Sequence, residues 1–200
     1  MKKLSINKTK AAAVLGLAMV VFGAIGAAPT LYYRWTNNGS VAKHGFVAAA
    51  PVKVDPSVPV ISGQPIAISI PSLNINLQVI NGYYNSSNGE WTLTLDKAQF
   101  IPSTSLPNNT SGNTFIYGHY RPEVFAYLHL IKPGATATIT TSNGYRFNYN
   151  FNSTFATTPD DTSVLTDYQG PPMLTVQTCS GSFFQNRQMY QFSYAGYQKV

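Results

Sequence analysis

Thr138-Ile139-Thr140-Thr141, then Ser142-Asn143-Gly144, then Tyr145-Arg146-Phe147-Asn148-Tyr149-Asn150-Phe151 is the stretch whose reading decides the fold class. Asn-Gly between two β-prone arms is the strongest short hairpin signal a sequence offers. In the second arm Tyr145, Phe147, Tyr149 and Phe151 fall on one face, and Arg146, Asn148 and Asn150 on the other. Side chains alternate across a strand, so the aromatic face must cover a core.

The same period runs through the flanking sequence. Pro65-Ile66-Ala67-Ile68-Ser69-Ile70 alternates, Pro71-Ser72 interrupts it, and Leu73, Ile75, Leu77 and Val79 then alternate with Asn74, Asn76 and Gln78. Trp91 to Leu95, Thr114 to Tyr117 and Leu174 to Thr178 read as further strands, and Gln188 to Tyr197 as the last. The one plausible helix in this region is Pro122 to Leu130, with proline in its first turn and Pro133-Gly134 stopping the chain. Nine residues could not stand alone as a helix. No repeat of solenoid or propeller period is present. Many short strands with so little helix predict an all-β fold, a closed or nearly closed β-barrel with one or two short helices.

The 200 residues leave room for one such domain and something short attached to it. Hydrophobic residues at 44% exclude a disordered chain. The net charge of +6 points to a nucleic-acid binder until the charges are placed. Lys2, Lys3, Lys8, Lys10, Arg34, Lys43 and Lys53 all precede Val54, and beyond it six Lys/Arg face seven Asp/Glu, a net of −1. A phosphate backbone needs its basic patch on the folded domain, so nucleic acid is not an expected partner.

Ala11 to Ala28 is an unbroken apolar run, extendable through Leu31, Tyr32 and Tyr33, and about 20 such residues span a bilayer. Four lysines precede it, and Tyr32, Tyr33 and Trp35 follow, which puts the C-terminal bulk outside the cytoplasm. The length of the run and its aromatic flank favour a retained anchor over a cleaved signal peptide, for which Gly26 and Ala28 would supply small residues. The expected order is a cytoplasmic basic tail (1–10), a transmembrane signal anchor (11–33), a Pro- and Ala-rich extracellular stalk (34–63) reaching roughly 30 Å, and the β-domain (64–200).

The chemistry must come from few residues. Cys179 is the single cysteine, so no internal disulfide is possible. A buried structural cysteine is the bland alternative. Against it, Cys179 falls at a strand end, before Ser180-Gly181, on the face shared with Thr175 and Gln177 rather than with Leu174, Val176 and Thr178. A catalytic thiol needs a cation or an imidazole beside it to ionise near neutral pH. His44 lies in the stalk, and His129 falls late in the short helix, where a structural role is expected. His119 closes the strand Thr114 to Tyr117 after Gly118, a strand-end placement like that of Cys179. Arg187 stands eight residues after Cys179 at the head of the last strand, and an antiparallel return would bring it alongside. A guanidinium there can hydrogen-bond a substrate oxyanion and favours the thiolate.

Thr175-Val176-Gln177-Thr178-Cys179 resembles the Thr-Leu-x-Thr-Cys signature of sortases, with Val in place of Leu. Arg187 falls where that family's essential arginine follows the cysteine, and Gly118-His119 keeps its His-before-Cys order, sixty residues upstream. The likeness covers residues 64 to 200 and implies a closed barrel of about eight strands. It further implies a cysteine transpeptidase that cleaves a C-terminal sorting signal of exported proteins, Leu-Pro-x-Thr-Gly-like, through a thioacyl enzyme. The acyl group would pass to an amine of a cell-wall precursor or a pilin lysine. His119, Cys179 and Arg187 would be catalytic and Thr178 supporting, with its β-branched strand character as the plain alternative.

The globular part has too few carboxylates, scattered except for Asp160-Asp161, for a calcium cluster, so no metal or cofactor is expected. Asp55-Pro56-Ser57 lacks the aromatic residue of a pilin-sortase lid, which favours a housekeeping role over pilus assembly. Papain-like and L,D-transpeptidase patterns are excluded by residue order. A pilin-type or hydrolytic sortase-like enzyme and a non-catalytic surface-adhesion barrel remain the competing readings.

Overall fold

The computed structural model describes residues 57–85, 87, 90–166, 168–181 and 183–200. The expected basic tail, the expected membrane anchor and residues 34–56 of the expected stalk lie outside them. No helix among the described residues is long and apolar enough to cross a membrane.

Alternating sequence becomes strand where one face has a core to cover. The strands are β1 (Pro65–Ile70), β2 (Ile75–Asn81), β3 (Tyr84–Asn85), β4 (Glu90–Trp91), β5 (Ala98–Phe100), β6 (Asn113–Tyr117), β7 (Thr136–Thr141), β8 (Tyr145–Thr157), β9 (Met173–Ser180) and β10 (Asn186–Lys199). Eight of them close a barrel, the expected all-β architecture, in the order β1-β2-β5-β6-β9-β10-β8-β7, and β3 and β4 pair separately. The β2/β5 and β6/β9 pairs are parallel, and the other barrel pairs are antiparallel.

The barrel interior is filled by Ile68, Ile70, Phe100, Ile116, Ile139, Phe147, Leu174, Val176 and Phe192, all essentially inaccessible. Each such side chain contributes about 1.5–3 kcal/mol by leaving water. A second cluster, Ile101, Phe115, Tyr117 and Met189, lies on the outer face of the β5-β6-β9-β10 sheet. Trp91, from the excursion between β2 and β5, and Leu165, from the excursion between β8 and β9, pack over it with Phe155. Tyr117 anchors the first excursion by donating to the Thr92 carbonyl at 2.9 Å, and its ring meets Trp91 edge-on at 5.7 Å.

The β7–β8 hairpin forms where the sequence placed it, and two other local expectations are corrected. The Asn143-Gly144 turn is a three-residue loop in which Gly144 N–H donates to Thr141 O (3.1 Å) and only Gly144 has positive φ, +80°. Asn143 works through its side chain, accepting from Thr141 Oγ1 at 2.7 Å and donating to Ser62 O at 2.8 Å. Of the strand expected over Trp91 to Leu95, only Glu90–Trp91 pairs, and Leu93 and Leu95 are exposed. The helix expected over Pro122 to Leu130 is a turn followed by a 3-10 segment, Ala126–Leu130. Its closures, such as Leu128 N–H to Phe125 O, span three residues because burial of Val124, Phe125, Ala126 and Leu128 sets the local geometry.

Candidate active site

The site begins with the parallel pairing of β6 and β9, in register from Asn113 opposite Met173 to Tyr117 opposite Gln177. Two bonds carry that register beyond the end of β6. Gly118 N–H donates to Gln177 O at 3.1 Å, and the buried Thr178 hydroxyl donates to Gly118 O at 3.0 Å. His119, the next residue, is thereby brought level with Cys179. On the other flank of β9, Arg187 is the direct antiparallel partner of Cys179. Directly opposite residues have Cα atoms about 4.5–5.5 Å apart and side chains on one face. His119, Cys179 and Arg187 thus occupy one level across three adjacent segments of the sheet.

Both flanking loops are shaped by a glycine. A Cβ on Gly118 would lie 2.8 Å from Val124 Cγ1 and 2.9 Å from Phe125, so only glycine lets the chain pass beneath that turn. The His119 carbonyl accepts from Phe125 N–H at 3.2 Å, which closes the turn behind the imidazole. After β9, Gly181 takes φ +85°, and its position at the start of the loop lets Phe184 N–H return to its carbonyl at 3.0 Å. Arg187 Nη1 then donates to Phe184 O and to Asn186 O, each at 3.2 Å, which folds the guanidinium along the loop.

Cys179 is half-buried. Burial pushes its thiol above the ordinary cysteine range, and the Arg187 charge pulls the other way. Partial burial holds the His119 imidazole below the ordinary histidine range, helped by the charge of Arg121. Both shifts favour the uncharged forms, so the resting pair at neutral pH is thiol and neutral imidazole.

The other sequence candidates are placed as follows. His129 Nδ1 lies 2.6 Å from Ala126 O, and its ring packs near Tyr120, a structural setting. His44 lies outside the described residues. Among the described residues no three His, Cys, Asp or Glu side chains gather in a way that could hold a metal ion. Tyr120 and Phe184 border the site and were not singled out by sequence. Their signal was an aromatic residue directly after the histidine and another in the Gly-Ser loop after the cysteine.

A family model described as Sortase domain matches residues 68–192, more than half of the chain. The chain belongs to the sortase family. The family's members are cysteine transpeptidases. No curated protein matches this sortase in sequence. Solved structures with its fold include sortase E1 from Streptomyces coelicolor with a tripeptide in the active site, at 23% identity and TM-score 0.57, covering 68% of this chain and 91% of that one. Listeria monocytogenes sortase A follows at 20% identity and TM-score 0.56, covering 68% and 90%. A Clostridium perfringens sortase D5 transpeptidase has 24% identity and TM-score 0.53, covering 69% and 83%.

Proposed function

We propose that this sortase is a cysteine transpeptidase in which Cys179, His119 and Arg187 carry the reaction. The observation that supports it is their common level at one end of the barrel, where a thiol, an imidazole and a guanidinium flank the same strand. The Cys179 thiolate attacks the carbonyl of a sorting signal, a Leu-Pro-x-Thr-Gly-like segment at the Thr-Gly bond. A carbon–sulfur bond forms and the carbonyl electrons move to oxygen, where Arg187 hydrogen-bonds the oxyanion. Collapse breaks the carbon–nitrogen bond, and His119 as imidazolium protonates the departing amine. An acceptor amine of a cell-wall precursor or a pilin lysine then attacks the thioester. It loses its proton to His119, and the thiolate leaves with a new amide formed. Thr178 supports the site by tying Gly118 to β9.

Family membership supports this substrate class. One neighbour of the fold, a Clostridium perfringens sortase C, has been solved with the C-terminal cell wall sorting motif, at 21% identity and TM-score 0.52. In this reading residues 1–10 are cytoplasmic, 11–33 anchor the chain in the membrane, and the stalk holds the barrel outside the cell. Its support is the sequence pattern alone, lysines before the apolar run and aromatics after it.

The test incubates the full chain in detergent with Leu-Pro-x-Thr-Gly-like peptides and amine acceptors, and reads thioester and amide products by mass spectrometry. An adduct on Cys179 and an amide product are expected, both lost in Cys179→Ala with the fold intact. Thioester resolved only to free acid marks a hydrolase on the same scaffold. No adduct across the peptide library overturns the reading.

A further inference from the structure

The segments that carry His119 and Arg187 both neighbour β9, but they do not pair with each other. Among the described residues, no strand ladder spans the gap between them above the level of Cys179. A pair of rings does. The Tyr120 ring centroid lies 5.9 Å from that of Phe184 at a 45° tilt, and the His129 ring is 6.4 Å away. Offset and tilted ring pairs are the favoured arrangement of aromatic side chains.

Phe184 is held by more than this contact. Its N–H bonds to Gly181 O at 3.0 Å, and its carbonyl receives Arg187 Nη1 at 3.2 Å. Its φ is +58°, a left-handed conformation that a bulky L residue seldom adopts. Such a conformation persists only where surrounding contacts impose it, and it is concentrated at functional sites. Phe183 beside it is 80% exposed, so the loop presents one ring to solvent and turns the other inward onto Tyr120. The covalent neighbour of His119 thus rests on the residue whose carbonyl fixes the guanidinium.

We propose that Tyr120 and Phe184 form a clasp that sets the spacing between His119 and Arg187 across Cys179, and that both are positioning residues of the site. The inference rests on the functional reading above for the roles of the three residues it aligns. Without the clasp each loop keeps its own backbone bonds, but the imidazole and the guanidinium lose their common frame.

The test compares Tyr120→Leu, Phe184→Leu, their double variant and Tyr120→Phe in the full chain. The readouts are kcat and KM with a sorting peptide, the pH profile of Cys179 alkylation by iodoacetamide, and Tm. A misplacement of about 1 Å costs on the order of a hundredfold in rate. Each leucine variant is therefore expected to lose roughly ten- to a hundredfold in kcat with KM little changed. Its alkylation midpoint should move to higher pH as the guanidinium drifts from the thiol. Two residues acting as a unit give non-additive losses, so the double variant should fall no further than the worse single one. Tyr120→Phe, which keeps the ring, should restore most of the rate. Leucine variants that keep the native kcat and alkylation profile overturn the clasp, with or without a lower Tm, and so do losses that multiply in the double variant. A native chain that alkylates but transfers no acyl group overturns the transpeptidase reading instead, and the alkylation profiles alone then judge the clasp.

Discussion

Cys179 and His119 sit where their charged forms are disfavoured, and the two shifts run in opposite directions along the pH axis. The thiolate–imidazolium pair is then a minority species whose population is greatest between the two midpoints. The expected kcat/KM profile is a bell with its acid limb below the ordinary histidine range and its alkaline limb above the ordinary cysteine range. Arg187 lowers the thiol midpoint, so Arg187→Ala should move the alkylation midpoint of Cys179 to higher pH. Arg121 lowers the imidazole midpoint, so Arg121→Gln should move the acid limb of kcat/KM upward. Iodoacetamide rates and peptide kinetics across pH check both, and a shift in the opposite direction in either variant defeats this electrostatic account. The chemical candidates were legible because their types are scarce in the sequence: one cysteine and three histidines, of which His129 is held in a turn by the Ala126 carbonyl. Tyr120 and Phe184 were not legible, since their role is a meeting of two loops, and nothing local marks one aromatic among thirteen Tyr and eleven Phe.

At the scale of elements, two glycines separate conformational from steric demand. Gly144 has positive φ, and a Cβ added there would meet nothing within 4 Å, so Gly144→Ala should cost only the left-handed strain, about 1–2 kcal/mol. Gly118→Ala instead drives a methyl into Val124 and Phe125, at about 1–3 kcal/mol, and displaces the backbone that carries His119. Denaturant titration should show both losses, with kcat falling only in Gly118→Ala; equal kcat in the two variants contradicts the geometry. Strands with unlike faces, such as β1, β2 and β8, were readable because alternation is a local signal. The short β5 was not, since Ala98, Gln99 and Phe100 are all buried and no alternation survives. Trp91 to Leu95 alternates without forming a strand, because beyond Trp91 no partner strand among the described residues reaches it. The Pro122 to Leu130 segment carried helix signals, but tertiary burial outweighs propensity in a segment so short.

At the scale of the molecule, every barrel strand runs between two poles. The level of His119, Cys179 and Arg187 forms one pole, with the exits of β6 and β9 and the entry of β10. The other is built by the β7–β8 hairpin and the loop after β5. There Asn109 and Asn143 hold the incoming chain through bonds to Pro59, Ile61 and Ser62, and Val200 N–H reaches Gly144 O at 2.8 Å. A fusion to the carboxyl end should therefore leave kcat/KM unchanged, and a tenfold loss with native Tm would contradict this arrangement. Because the described chain ends at Val200 on the side away from the reactive rim, coupling the protein by its carboxyl end to a bead or a sensor surface turns that rim toward the bulk solution. Large protein substrates then meet the rim rather than the support, with no spacer added.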